Sequence, residues 1–194
     1  EIKRLRKENE KLQEKVDEDT PLLPNRVNHV YTASKVAAEL YCHGYQKLYK
    51  QNFTILRYGI PYGPRARGGT VAAVFVRKAL NGEPLTIMGD GSQYRNFIYV
   101  EDLAEGNVAA LQAGAVNQTY NLEGLRPITI KEVAETVKKL VSNVKVEYQE
   151  ARAGDYAGKT VSSKKALSEL NWKPKIDFEE GMKRYIAWYR ENVK

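Results

Sequence analysis

Residues 52–82 read NFTILRYGIPYGPRARGGTVAAVFVRKALNG. A short apolar, β-branched run, closed by Gly59, Pro61 and Gly63, has the composition of a buried strand. The segment TVAAVFVRKALNG that follows is a helix stopped by Gly82. Working outward, residues 31–50 place Val36, Leu40, Tyr41, Tyr45 and Leu48 at helical spacing, so a helix precedes the strand. On the other side, EPLTIMGDG is a strand and turn, and RNFIYVEDLAEGNVAALQAG runs from a short strand into a helix. QTYNLEG is a further strand, and TIKEVAETVKKLVS is a helix with Thr129 as N-cap and Glu132 three residues on. VKVEYQE alternates as a strand, and SSKKALSELNW and DFEEGMKRYIAWYRENV are closing helices. The last of these is amphipathic through Phe178, Met182, Tyr185, Ile186 and Tyr189. Strands alternating with helices make the fold class α/β.

The chain has 194 residues, enough for one ordinary domain with a real core or a domain with a small appendage. Apolar residues make up 42% and charged residues 28%, which is a globular composition. No apolar run is long enough to cross a bilayer, so no membrane partner is expected and a cytoplasmic location is the default. The single cysteine, Cys42, cannot form an internal disulfide and lies in a helical pattern, where a buried structural thiol is expected. The net charge of +7 would suit nucleic acid, but the basic residues are scattered rather than gathered in a stripe. An anionic small molecule such as a nucleotide diphosphate suits that charge equally well. No metal site is expected.

Residues 1–16, EIKRLRKENEKLQEKV, differ from everything after them. Ile2, Leu5, Asn9, Leu12 and Val16 follow a 3-4-3-4 heptad spacing with a polar residue at an a position. This stretch reads as a coiled-coil-like helical extension, either solvated or dimerising. DEDTPLLPNRVNH, residues 17–29, is an extended loop that ends it.

Tyr31 and Lys35, in YTASK, lie four apart on one helical face. An ammonium beside a phenol favours the phenolate and makes it a usable general base. Thirteen tyrosines in a lysine-rich chain give about one such spacing by chance, so the pair alone also reads as an ordinary surface contact. By themselves Arg95 reads equally as an ion-pair partner of Glu101 or Asp102, and Arg152 with Asp155 as the closure of a turn around Gly154. The glycines of GDGSQY lack a third glycine and do not open a helix, which excludes a dinucleotide loop there.

The order of motifs is more specific than any one of them. The acidic DEDTP loop, YTASK, ILRYGIPYGPR, LTIMGDGSQYRNFIYVEDLAEG and ARAGD before LNWKP together resemble the extended short-chain dehydrogenase/reductase family. Its nucleotide-sugar epimerases and dehydratases, especially those similar to UDP-glucose 4-epimerase, match best, over about residues 17–194. The resemblance implies a partial Rossmann-like parallel sheet plus a small α/β nucleotide-sugar-binding domain. The tyrosine helix and first strand would occupy residues 30–65, and the substrate domain mainly residues 66–194.

The resemblance also implies roles. Tyr31 corresponds to the family's catalytic base, and Lys35 to the residue that holds the nicotinamide ribose and tunes the phenol. Tyr58 corresponds to the aromatic residue beside the nicotinamide of NAD. Arg95 corresponds to the arginine that grips the nucleotide diphosphate, where a planar fork suits phosphate oxygens. Arg152 and Asp155 correspond to a second phosphate contact and a ribose contact, and Leu85, Thr86 and Ile87 to the backbone that lines the base. Expected partners are a nucleotide sugar and a second copy of the chain, joined through residues 1–16 or the 31–50 helix.

Three substitutions depart from the family pattern: Ile60 where asparagine is usual, Asn96 where aspartate is common, and Val30 where proline commonly precedes the tyrosine. A larger departure is the lack of any G-x-G-x-x-G, the turn that a dinucleotide's phosphates require. The chain therefore reads as the C-terminal portion of such an enzyme. The NAD-binding half would then come from a partner chain or a longer parent protein, and the chain would be inactive alone. The rival reading is a dimerising interaction module that derives from the same fold and has lost catalysis.

Overall fold

The computed structural model describes residues 16–21, 27, 29–141, 144–151 and 157–193. Helix α1 (Val30–Tyr49) leads into strands β1 (Thr54–Tyr58) and β2 (Ile60–Tyr62), then helix α2 (Val71–Leu80). Strands β3 (Leu85–Met88) and β4 (Tyr94–Tyr99), helix α3 (Val100–Ala109) and a 3-10 turn (Ala113–Ala115) follow. The remainder is β5 (Gln118–Leu122), β6 (Pro127–Thr129), α4 (Ile130–Leu140), β7 (Val146–Gln149), α5 (Lys164–Leu170) and α6 (Phe178–Asn192). This is the expected α/β architecture, with parallel pairing dominant: β1 with β5, β2 with β4, and β3 with β7 are all parallel. Among the described residues only β6 runs antiparallel, against β4.

One expectation is corrected in the stretch that opens the fold. The apolar run at 52–63 is two strands, not one, because the chain crosses from one sheet to another at Gly59. β1 pairs with β5 while β2, one residue later, pairs with β4. A methyl group on Gly59 would sit 2.6 Å from the Asn96 carbonyl oxygen and 2.6 Å from Glu123 Oε2, so only glycine fits the crossing. β1 is also half-buried rather than buried.

Alternation along β4 builds two cores from one strand. Phe97 and Tyr99 enter a large cluster with Tyr62, Phe75, Val76, Val133, Val137, Phe178, Met182 and Tyr185. Ile98 faces the other way, into a smaller cluster with Leu103, Tyr120, Leu122, Leu170 and Trp172. In α4 the buried residues Ile130, Val133, Ala134 and Val137 recur at i, i+3, i+4 and i+7, the stripe of a helix laid on a core. Thr129 caps this helix, its hydroxyl accepting from the Glu132 amide at 3.0 Å. Asp177 caps α6 in the same way, accepting from the Glu179 amide at 2.9 Å. Asp102 is buried, and its carboxylate accepts the Ile176 amide while its carbonyl accepts the Trp172 indole N–H, both at 2.9 Å. These bonds tie α3 to the segment that leads into α6.

Helix α1 is different in kind, because it has no buried residue. Leu40, Tyr41, Tyr45, Leu48 and Tyr49 are all exposed, so its apolar stripe faces no core among the described residues. Cys42, expected to be buried, is only half-buried for the same reason. The heptad extension lies in residues outside those described, apart from its last member. Val16 is not helical: its amide donates to Thr160 O at 2.9 Å and its carbonyl accepts from Ser162 at 2.8 Å, a parallel bridge to Val161. No described helix is long and apolar enough to cross a membrane.

Candidate functional site

Tyr31 and Lys35 occupy the first two turns of α1. The His29 ring caps the helix, Nδ1 accepting from the Tyr31 amide at 3.1 Å, and the Ser34 hydroxyl donates to the Tyr31 carbonyl at 2.7 Å. These bonds fix the backbone that carries the tyrosine, while its side chain stays 65% exposed. The Lys35 ammonium lies over the Tyr31 ring, 5.1 Å from its centroid. The pair is therefore assembled on one face and open to whatever docks there.

The helix is joined to the sheet next to a second expected site residue. Arg57, in β1, donates from Nε to Glu39 Oε1 at 2.9 Å and from Nη2 to Glu39 Oε2 at 2.7 Å. That bond strengthens the guanidinium's hold on its proton. Arg57 also reaches the Glu18 carbonyl, while the Glu18 carboxylate accepts the Asn121 amide at 2.7 Å. Segment 16–21 is thereby drawn onto the β1–β5 pair. The edge of the His43 ring meets Phe53 at 4.9 Å between centroids, a further contact from α1 to the sheet.

Tyr58 ends β1, directly across from Leu122, which ends β5. Parallel strands place ligand sites at their carboxyl ends, and a pocket of about 230 Å³ opens there. Tyr58 and Arg95, far apart in sequence, both line it, together with Ile60, Asn96, Glu123 and Lys159. The Tyr58 hydroxyl donates to Asn107 Oδ1 at 2.6 Å, which sets the ring's direction. Arg95 donates from Nη1 to the Tyr94 carbonyl at 2.8 Å. Glu101 pairs with Arg184, and Asp102 is committed to the Ile176 amide, so each carboxylate has a partner of its own.

Leu85 and Ile87 are fully buried, their side chains belonging to the large core. What β3 can present to a ligand is backbone, Met88 and Thr86, whose hydroxyl accepts from the Lys78 ammonium at 3.1 Å. Arg152 and Asp155 lie outside the described residues. The GDGSQY segment forms a tight turn, with Gly89 and Gly91 at φ of 67° and 74° and Asp90 accepting from the Ser92 amide.

Sequence reasoning missed Glu123. It is only 7% exposed, lines the same pocket, and its Oε2 has no hydrogen-bond partner. Burial pushes its carboxyl up to about 8. The signal was present: an acid stands directly after the buried Tyr-Asn-Leu end of a strand.

The NAD dependent epimerase/dehydratase family model matches residues 7–122. The chain belongs to this family. UDP-glucuronate 4-epimerase of Thermodesulfobacterium geofontis is 34% identical over 177 residues, covering 91% of this chain and 53% of that protein. The crystal structure of dTDP-glucose 4,6-dehydratase from Bacillus anthracis in complex with NAD superposes with a TM-score of 0.84 at 30% identity, covering 93% of this chain and 57% of that one. UDP-glucuronic acid 4-epimerase from Bacillus cereus, solved with UDP-glucuronic acid and NAD, gives a TM-score of 0.84 at 26% identity, covering 92% and 57%. Relatives within the epimerase/dehydratase family thus include both UDP-sugar epimerases and dTDP-glucose dehydratases. The chain spans about half the length of the curated relatives it matches.

Residues of this epimerase/dehydratase family member suit one end of NAD. The open face carrying Tyr31 and Lys35, and the half-exposed ring of Tyr58, offer a phenol, a cation and an aromatic wall to a nicotinamide riboside. The 194 residues contain no G-x-G-x-x-G turn, the element that binds a dinucleotide's pyrophosphate.

Proposed function

We propose that this chain is the nucleotide-sugar-binding portion, with the catalytic tyrosine helix, of an NAD-dependent epimerase acting at C4 of a UDP- or dTDP-hexose. The observation that carries this reading is the junction of two half-sites. The exposed Tyr31–Lys35 pair is tied through Glu39 and Arg57 to the strand whose last residue, Tyr58, opens on the pocket shared with Arg95.

Tyr31 acts as the base, taking the proton of the sugar C4 hydroxyl. Lys35 stabilises the phenolate that takes this proton and would hold the ribose of the cofactor. Tyr58 would supply an aromatic wall beside the nicotinamide, and its hydrogen bond to Asn107 sets the direction of its ring. Arg95 grips the diphosphate, with Arg152 and Asp155 as further phosphate and ribose contacts and the β3 backbone at Leu85, Thr86 and Ile87 along the base. Bound NAD supplies the acceptor for the hydride that leaves C4. A glycine-rich half, from a partner chain or a longer polypeptide, is required to hold it. Calorimetry of the 194-residue chain tests this: UDP or dTDP should bind and NAD alone should bind weakly. Absence of affinity for either nucleotide would sink the reading of this lobe, and tight binding of NAD alone would sink the need for another half.

A second reading is a non-catalytic dimerising module of the same fold. The exposed Leu40, Tyr41, Tyr45 and Leu48 on α1 support it, since they offer a self-complementary apolar stripe. Sedimentation with and without residues 1–16 separates its two versions. A dimer that dissociates on truncation uses the heptads, and one that persists uses α1.

A further inference from the structure

Glu123 stands apart from the roles assigned above. It directly follows Leu122 at the carboxyl end of β5, beside Tyr58 at the carboxyl end of β1, and is only 7% exposed. Its Oε2 is buried without a hydrogen-bond partner. A buried polar atom left unpaired costs free energy, so a native fold that keeps one has a use for it or a group that satisfies it. Room for the carboxyl comes from Gly59, whose missing side chain would otherwise lie 2.6 Å from Oε2. The pocket it lines, with Tyr58, Gly59, Ile60, Arg95 and Asn96, holds about 230 Å³. That is below the roughly 300–1000 Å³ of a site for a whole drug-sized ligand, and suits a single ring.

We propose that Glu123 is a specificity-determining ligand contact, its carboxyl hydrogen-bonding a hydroxyl of the hexose ring of the nucleotide sugar. The proposal rests on the nucleotide-sugar reading above and adds to it the group that recognises the sugar. Burial alone raises the carboxyl to about 8, so at neutral pH it is protonated and presents one O–H donor and one acceptor oxygen. A sugar hydroxyl, itself donor and acceptor, satisfies both at once. A second anion would be disfavoured against a carboxyl that has been taken out of water. The Tyr58 ring and the Ile60 side chain supply apolar walls for the C–H face of a hexose, and Arg95 lines the same pocket.

Binding of matched pairs separates this from the parent reading. UDP, UDP-glucose, dTDP and dTDP-glucose are titrated calorimetrically into the 194-residue chain and into its Glu123→Ala and Glu123→Gln variants, with circular dichroism to confirm folding. The wild-type chain should prefer a sugar nucleotide over its bare nucleotide. Glu123→Ala should erase that preference, weakening the sugar nucleotide about tenfold, the cost of roughly one hydrogen bond in a dry site, without changing the bare nucleotide. Glu123→Gln, which keeps a donor and an acceptor and folds in the same space, should retain most of it. Unchanged sugar-nucleotide affinity in both variants overturns the proposal. So does an equal loss for nucleotide and sugar nucleotide, which would place Glu123 against the nucleotide instead. A wild-type chain that binds no nucleotide at all overturns the parent reading, a distinct result.

Discussion

Arg57 holds Glu39 with two parallel hydrogen bonds of 2.9 and 2.7 Å, and this is the only ion pair among the described residues that joins α1 to the rest of the chain. Both side chains are about three-quarters buried or more, at 26% and 19% exposed, so the pair is shielded from much of the screening that weakens surface bridges. The helix it holds carries Tyr31 but buries nothing of its own. Its position therefore depends on polar ties more than on packing. Arg57→Ala should raise hydrogen exchange of the residue 30–49 amides about tenfold while leaving the large core protected. Arg57→Lys, which keeps charge but loses the fork, should fall between. Equal exchange in the wild type and both variants would show that other contacts hold α1.

Tyr31→Phe removes only a hydroxyl from a side chain that is 65% exposed. Folding stability should change by less than about 0.5 kcal/mol, and nucleotide affinity should be unchanged. If Tyr31 is the base, turnover in an assembly that supplies the NAD-binding half should fall by about 10²–10⁴-fold, the usual contribution of a positioned general base. A variant that retains more than about a tenth of wild-type turnover would remove Tyr31 from that role.

The features legible in the sequence are those whose cause is local. The helix spacing of 31–50, the Thr129 cap and the Tyr31–Lys35 pair are set by neighbours three or four residues apart, and the structure places each as read. The split of the 52–63 run was not legible, since Gly59 reports a close approach to Asn96 and Glu123, 37 and 64 residues away. The same holds for the Arg57–Glu39 tie and for the orphaned Glu123 oxygen, which depend on which strands become neighbours. β6 escaped notice because three residues beginning with Pro127 carry too little pattern to mark a strand. Motif order brought Tyr58 and Arg95 forward as candidates, but only the pairing of β1 with β5 and β2 with β4 sets them on one pocket.

Gly59→Ala tests the crossing itself. The added methyl would meet the Asn96 carbonyl, which is backbone and cannot move freely, and the Glu123 carboxyl. Overpacking of this kind costs about 1–3 kcal/mol. Urea denaturation should show a lower midpoint with an unchanged slope. Pairing the change with Glu123→Ala, which vacates one of the two clashes, should recover part of the loss. Full additivity of the two substitutions would show that the glycine and the glutamate are not coupled.

Glu123 also gives the chain a distinctive dependence on pH. In the unfolded chain its carboxyl titrates near the ordinary value of 4.5, whereas burial raises it to about 8 in the folded state. Between those values the native state keeps a proton that the unfolded state has lost. The linkage slope is therefore negative, and stability falls as pH rises from about 4.5 to about 8, by at most about 1.4 kcal/mol per pH step from this group. Below 4.5 both states are protonated and above 8 both are ionised, so its contribution is flat outside the window. Glu123→Gln cannot ionise, so it should be more stable than the wild type at pH 8 by a margin that shrinks steadily towards pH 5. Urea midpoints of both proteins, without ligand, at pH 5, 6.5 and 8 measure that margin. A constant difference across the three would show that the Glu123 carboxyl titrates alike in the folded and unfolded chain, and would return it to water.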